Sequence, residues 1–391
     1  MNIKFDANSL ELKLAMNESE YVYNNSQEYM LNNGIYNHID RFRIEVTLDC
    51  DLNCDYCIVF RNSIECKTRQ MNMDVAKKIV SRFNREINKN GSIMIIGGEP
   101  LINWDVVQYI VKETKGFILF FTNGLKLDDD KIKFLRDFNV MIFLSLDGST
   151  FNHNKLRFKN IDNYHTVINN IKRSVKLDAN IAINCVVHEG NMNNIIEIAN
   201  HYKNNFGVRV MSFAYPHHVL NTKKMNSFSI EKYTDEIIRL IKYSKENNIY
   251  VDQLGKIFRA ILIRKPIVNS CKVGFSQTTF YPDGKETDCM KLDKYIQNSS
   301  SNNILDTFKA NIPILNNKCK YCIAVKLCGG GCPWDSVFNN SEKGIDDRVC
   351  FYNKALVRAI IEDINEEISN YNNFEMASKR IKDIYLPLTK V

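Results

Sequence analysis

The feature that restricts this chain most is the spacing Cys50-x3-Cys54-x2-Cys57, placed directly after the β-rich run FRIEVTL at 42–48. Three thiolates this close on one loop can wrap three corners of a cubane 4Fe-4S cluster and leave the fourth iron without a protein ligand. The competing readings are a zinc site or buried free thiols. Zinc usually takes four ligands in paired Cys or Cys/His sets, and no fourth ligand follows nearby. The first twenty residues, MNIKFDANSLELKLAMNESE, contain no apolar core of an export signal. No later stretch approaches the ~18 uninterrupted apolar residues of a membrane span. A cytoplasmic chain is expected, and twelve cysteines in a reducing compartment point to metal ligation before disulfides.

The 391 residues suffice for one α/β domain and a smaller appended module. With 45% hydrophobic and 25% charged residues, 16 Gly and 7 Pro, the composition is that of a globular protein with a large core. The net charge of +7 comes without any long Lys/Arg block, so neither nucleic acid nor a membrane is implied as a partner. Residues 1–39 are polar and Asn-rich and read as an N-terminal extension laid across the main domain. From residue 40 to 250 short apolar β-rich runs alternate with amphipathic helical patterns. Strands are expected near 42–48, 92–97, 117–122, 140–146, 180–187 and 208–214, and helices near 73–89, 104–115, 129–138, 161–176, 192–205 and 230–247. Six such units are too few for a closed eightfold barrel, so the fold class is α/β with a partial, open (β/α)6 barrel. Residues 251–370 hold a helical connector, a Cys-rich segment at 271–350 and a closing helix at 354–370. Residues 371–391 read as a loosely held tail.

Small polar motifs stand where the strands end, which is where such folds place their sites. They are Gly97-Gly98-Glu99-Pro100, Thr122-Asn123-Gly124 and Ser145-Leu146-Asp147-Gly148, with Arg157 twelve residues beyond Ser145. Taken alone the first is a turn and Arg157 a solvated cation at a helix start. With the three-cysteine loop, however, they resemble the radical S-adenosylmethionine (SAM) superfamily, of which Cys-x3-Cys-x2-Cys is the defining pattern. The resemblance implies that the open iron chelates SAM and that one electron releases a 5'-deoxyadenosyl radical. It further implies that Gly97, Gly98 and Glu99 approach the SAM ammonium, and that Asn123, Ser145 and Asp147 lie along SAM, with Ser145 and Asp147 bonding its carboxylate or ribose. Arg157 would pair with the carboxylate and Tyr56 lie against adenine. Glu99 and Asp147 are expected to be ionised.

Seven of the twelve cysteines fall within 271–350: Cys271, Cys289, Cys319, Cys322, Cys328, Cys332 and Cys350, beside the turn formers Tyr281-Pro-Asp-Gly284 and Gly329-Gly-Gly331. A pair of zinc sites is the plain alternative. The arrangement resembles the SPASM domain, an auxiliary-cluster module of radical SAM enzymes that modify peptides and proteins. By that resemblance Cys319, Cys322, Cys328 and Cys350 would hold an outer 4Fe-4S cluster, and Cys271, Cys289 and Cys332 an inner one. Three 4Fe-4S clusters and SAM are thus the implied cofactors. No further cysteine occurs in 255–270, so the inner cluster is expected to have an open or non-Cys fourth position. Cys66 and Cys185 fit neither pattern and read as incidental thiols.

The function expected is a peptide maturase that abstracts hydrogen from a side chain or Cα of a ribosomally made peptide. Its partners would be that substrate, a reductant such as flavodoxin or ferredoxin, and a separate leader-binding protein if the barrel does not bind the leader itself. The sulfatase-maturating branch is disfavoured because Met290 follows Cys289 where that branch has an Asp. An electron carrier or peptide-binding module without catalysis is the alternative of another class. His217 and His218 are read as exposed loop residues.

Overall fold

Alternation in the first apolar run decides which way the sheet faces. Phe42 and Ile44 are wholly buried, while Arg41 and Arg43, which alternate with them, are half-buried. That is the pattern of a strand with one face under helices and the other toward a partly open interior. The computed structural model describes residues 3–6, 10–14, 39–57, 66–87, 91–215, 228–271, 276–289, 312–313, 316–319, 321–338 and 345–389. Two compact units emerge, Met1–Ile35 with Phe228–Cys271 and Asn303–Val391, and Tyr36–Ser227 with Lys272–Asn302.

The first unit opens with a hairpin, β1 (Ile3–Asp6) and β2 (Glu11–Leu14), paired antiparallel. The second unit carries the parallel strands β3 (Arg41–Glu45), β4 (Ser92–Ile96), β5 (Phe117–Thr122), β6 (Met141–Ser145), β7 (Ile181–Val186) and β8 (Val210–Ala214), neighbours in that order. The helices α1 (Met73–Glu86), α2 (Trp104–Glu113), α3 (Asp129–Asp137), α4 (Ile161–Lys176) and α5 (Ile195–Phe206) connect them. Three of these start where the sequence supplies a cap: Asn72, Asp128 and Asn160 each accept a backbone N–H of the first turn. The (β/α) alternation is as expected, and the barrel is open.

The first unit continues with α6 (Ile230–Asn247), the two-residue strand β9 (Tyr250–Val251) and α7 (Asp252–Leu262). Helix α6 therefore groups with the C-terminal part of the chain, although its sequence reads as the sixth barrel helix. Conversely, β10 (Gln277–Phe280) and β11 (Glu286–Thr287) belong to the barrel unit, where β10 lies parallel to β3 and extends the sheet. The turn at Tyr281–Gly284 closes this hairpin, with Gly284 at φ +84° and its N–H bonded to Tyr281 O at 2.9 Å. Strands of four and two residues are too short for periodicity to reveal.

Two expectations are corrected. Residues 1–39 are not merely an extension across the main domain, since β1 packs against the helix α9 (Asp347–Ile368) of its own unit. The short helix α8 (Pro333–Phe338) precedes α9. Nor is the C-terminus a loose tail: Phe374–Tyr385 is a helix, α10, that buries Ala377, Ile381 and Tyr385, with Leu388 beyond it. Those positions recur every four residues, one face of a helix. The Tyr385 ring lies 4.7 Å from that of Phe258, and its hydroxyl bonds Asp363, which also meets Lys245. Arg380 adds an ion pair to Glu367 at 2.7 Å. Tyr385→Ala should therefore cost about 3 kcal/mol of stability, the range for emptying a buried aromatic site. Urea unfolding would measure it, and a change under ~0.5 kcal/mol would mean that the helix is dispensable.

Candidate active site

Beyond the last residues of β3 and β4 the backbone ladder continues into loops. Val46 N bonds Ile96 O at 3.0 Å, Gly98 N bonds Thr47 O at 2.7 Å and Glu99 N bonds Asp49 O at 2.8 Å. The loop that leads to Cys50 is thereby laid on the Gly97–Gly98 backbone. A Cβ on Gly98 would stand 2.1 Å from Asp49 O, and one on Gly97, at φ +149°, 2.2 Å from Thr47 O. These glycines are required because the chain's own cysteine loop approaches them.

The far end of that loop is held separately. Asp55 N bonds Leu156 O at 2.8 Å, and the Cys54 thiol reaches Arg157 O at 3.8 Å. The Tyr56 hydroxyl donates to Asp147 Oδ2, and the Arg157 guanidinium lies 5.5 Å from the Tyr56 ring centre. Arg157 and Asp147 form a fork, Nε to Oδ2 and Nη2 to Oδ1, both 3.1 Å, and Val186 N adds a bond to Oδ1 at 3.0 Å. Burial alone would lower the Arg157 pKa, but the Asp147 charge raises it well above its usual value. Asp147, Arg157 and Tyr56 thus stand together, bonded to one another. Asn154 and Asn191 complete the frame: Asn154 accepts from Asp147 N at 2.7 Å, and Asn191 donates to Asp147 O at 2.7 Å. No spacing in the sequence marked either residue.

Glu99 is wholly buried and accepts from Leu101 N at 3.0 Å, Thr122 Oγ1 at 2.7 Å and Asn123 N at 2.7 Å. Its side chain therefore ties β4 to the end of β5. Burial pushes its carboxyl up to about 7, against the three hydrogen bonds. Asn123 extends from this anchor to the cysteine loop, with Nδ2 2.6 Å from Asp51 Oδ1 and 3.8 Å from Cys50 Sγ. Ser145 ends β6 on the interior face.

Burial raises the Cys50 thiol to about 11 and the Cys54 thiol to about 12, and the neighbouring thiols of the loop push in the same direction. Three thiols presented by one short loop suit an iron-sulfur cluster, which would be held by Cys50, Cys54 and Cys57. Cys66 packs with Cys57 against Leu48 and Tyr281, and Cys185 is buried on β7.

In the first unit Cys319, Cys322, Cys328 and Cys350 line one cavity together with Lys318 and Lys354. Tight turns bring the first three around, Cys322 N bonding Cys319 O at 3.0 Å and Cys328 N bonding Ala324 O at 2.8 Å. Cys350 enters from the first turn of α9, which Asp346 caps. Among the described residues no three His, Cys, Asp or Glu side chains converge as around a single ion. A cubane binds each thiolate through a different iron, so thiols facing one cavity fit it. Ser270, beside Cys271, is bonded to the glycine turn between Cys328 and Cys332: Ser270 N to Gly329 O at 2.6 Å and Gly331 N to Ser270 Oγ at 2.9 Å. Cys289 follows β11 in the barrel unit. Met290, His217 and His218 lie outside the described residues.

Residues 44–202 match the model of the Radical SAM superfamily. A radical SAM cyclopropyl synthase of Paramaledivibacter caminithermalis is 24% identical over 365 residues, covering 83% of this chain and 74% of its own length. A cysteine-type anaerobic sulfatase-maturating enzyme of Clostridium novyi is 26% identical over 324 residues, 73% of this chain and 85% of that protein. Native anSMEcpe with bound AdoMet shares the fold with a TM-score of 0.64 at 19% identity, over 84% of this chain and 99% of that one. Streptococcus suis SuiB bound to the precursor peptide SuiA does so with a TM-score of 0.59 at 18% identity, over 86% and 84%. Residues 44–202 are thus a radical SAM domain, the relatives are radical SAM enzymes, and such a domain implies a 4Fe-4S cluster and SAM. Among the described residues no helix is long and apolar enough to cross a membrane.

Two outcomes follow from the site geometry. Gly98→Ala should displace the cysteine loop and reduce iron bound after anaerobic reconstitution by up to about a third, the share of one cubane in three. Iron and sulfide assays would show it, and full loading would mean that the loop tolerates the Cβ. Because the folded-state pKa of Glu99 lies above its unfolded value, its contribution is present below about 4.5 and is lost as the pH rises to about 7. Denaturation midpoints of the iron-free chain should fall across that window, and less steeply in Glu99→Gln.

Proposed function

We propose that this enzyme modifies a peptide by taking a hydrogen atom from one of its residues. The observation that carries the reading is the cysteine loop clasped at both ends, at Gly97–Gly98 and at Leu156–Arg157, which presents Cys50, Cys54 and Cys57 from the C-terminal edge of a parallel sheet. Bound there, the cluster and SAM supply a 5'-deoxyadenosyl radical able to attack an unactivated carbon. Asn123 and Ser145 would meet SAM directly, together with the backbone at Gly97 and Gly98. Glu99, Asp147, Arg157 and Tyr56 would keep that cradle in shape, since their polar groups are bonded within the protein.

The peptide substrate is supported by the two solved neighbours that hold peptides, anSMEcpe with the Cp18Cys peptide and SuiB with SuiA. Two auxiliary clusters complete the proposal. The outer one would sit in the cavity of Cys319, Cys322, Cys328 and Cys350. The inner one would use Cys271, Cys289 and Cys332, with a fourth position open to a substrate thiolate. Flavodoxin or ferredoxin would deliver the electron. Formylglycine formation is the weaker reading, because Met290 occupies the position of the base in that branch.

The test is anaerobic reconstitution followed by reduction with dithionite in the presence of SAM. Wild-type protein should bind about twelve irons and release 5'-deoxyadenosine, as three cubanes require. The triple variant Cys50→Ala, Cys54→Ala, Cys57→Ala should keep about eight irons and release none. Continued release from that variant would end the proposal, and an iron count near four in wild type would remove the auxiliary clusters from it.

A further inference from the structure

Among the described residues of the barrel unit three carboxylates are wholly buried: Glu45, Glu99 and Asp147. Two of them are matched on both oxygens. Glu99 spreads three donors over its pair, and Asp147 takes the Arg157 fork together with Tyr56 and Val186. Glu45 differs. Arg43 brings both Nε, at 3.0 Å, and Nη2, at 2.9 Å, to the single oxygen Oε1. The other oxygen, Oε2, is shielded from solvent and has no hydrogen-bond partner among the described residues. An arginine commonly meets a carboxylate fork to fork, as Arg157 does here, so the one-sided pair leaves an acceptor aimed at something else. Such an unmade bond costs about 1–3 kcal/mol, which a structure retains only when another group supplies the donor.

The strand register shows where that oxygen stands. Phe42 faces α1, its ring 5.4 Å from Phe83, so alternation turns Arg43 and Glu45 to the barrel interior. Glu45 is opposite Ile96 on β4, and Ile95 is opposite Phe120, which sets Phe121 beside Ile96. Phe121 is in turn opposite Phe143, their rings stacked at 4.4 Å, and Phe143 is opposite Ala182. Glu45 is thus the polar end of an otherwise apolar interior row, Ile96, Phe121, Phe143 and Ala182. The row that holds Thr47, Asn123 and Ser145 lies two residues further along the strands, about 7 Å. Binding sites are built in this manner, mostly apolar with a few fixed polar groups. Because Arg43 balances its charge, the pair suits an uncharged N–H or O–H donor.

We propose that this apolar row is the seat of the substrate and that Glu45 Oε2 accepts a hydrogen bond from an amide or hydroxyl of the bound peptide, fixing which residue lies below the row of Asn123 and Ser145. The inference rests on the peptide-modifying reading above. Glu45 is then a specificity-determining residue, distinct from the groups that hold SAM.

The experiment uses the fully reconstituted full-length enzyme and a randomised pool of twelve-residue peptides, from which wild-type enzyme selects those it modifies. For selected peptides, Glu45→Gln and Glu45→Asp should raise KM by ~10-fold, the loss expected for one hydrogen bond to a charged group, with a smaller change in kcat. Both variants should retain wild-type iron content and the slow peptide-free release of 5'-deoxyadenosine. Gln keeps an acceptor for Arg43, and Asp keeps the charge but withdraws the second oxygen from the row. Unchanged KM in either folded variant overturns the inference, as does loss of iron in both, which would assign Glu45 to the fold alone. Wild-type enzyme that cleaves SAM yet enriches no peptide also overturns it. Absence of SAM cleavage in wild type instead sinks the radical SAM reading of the site.

Discussion

Two backbone hydrogen bonds, Gly98 N to Thr47 O and Glu99 N to Asp49 O, determine where the three cysteines of the loop stand. They carry the β3–β4 ladder past the point where side chains would normally force the strands apart. Cys50 follows Asp49 directly, so the first thiol inherits its place from the sheet. Glu99 then passes the constraint onward: its carboxyl holds Thr122 and Asn123, and Asn123 returns to Asp51 beside Cys50. A closed circuit of β3, β4 and β5 thus surrounds the thiols on one side, and its members are bonded to one another within the protein.

The opposite side is governed by a buried ion pair. Desolvating Arg157 and Asp147 is expensive unless each polar atom is matched, and a pair that loses one member is left with an uncompensated charge. Here matching is dense, through Tyr56, Val186 and the fork itself. The arrangement couples the cysteine loop to β6 and β7, because Tyr56 precedes Cys57 and Val186 ends β7. Such a frame is stiff by construction, which suits a site that must confine a reactive radical.

How much of this was legible depended on the range over which each signal acts. The six parallel strands and their helices were visible because alternation and helical periodicity are local properties, and several helices start at an Asn or Asp cap. The cysteines were visible because their spacing is short, and four of them do face one cavity. The close approach that Gly97 and Gly98 permit was not, since it is to residues 47–49, some fifty positions earlier. Asp147 and Arg157 were recognised individually, but their bond depends on the turn that Asn154 ties, which no spacing announces. Strand β10 is too short to carry a periodic signal. Helix α10 does carry the Ala377, Ile381 and Tyr385 spacing, but the many charges between them resemble a solvated tail.

Glu45 belongs to the same class of hidden feature, for a carboxylate two residues from an arginine on a strand reads as an ordinary same-face ion pair. Only the geometry shows that both guanidinium nitrogens crowd one oxygen. A carboxyl that burial pushes up and a single arginine holds down is poorly placed as mere structural glue, since an apolar pair of equal volume would stabilise the wall as well or better. Its place at the end of an otherwise apolar row instead fits a group that reads what enters the barrel. On that view the unit separates its tasks by height along the strands, with SAM held at the C-terminal edge by groups already bonded to each other and the substrate held one pleat below by a group that is not.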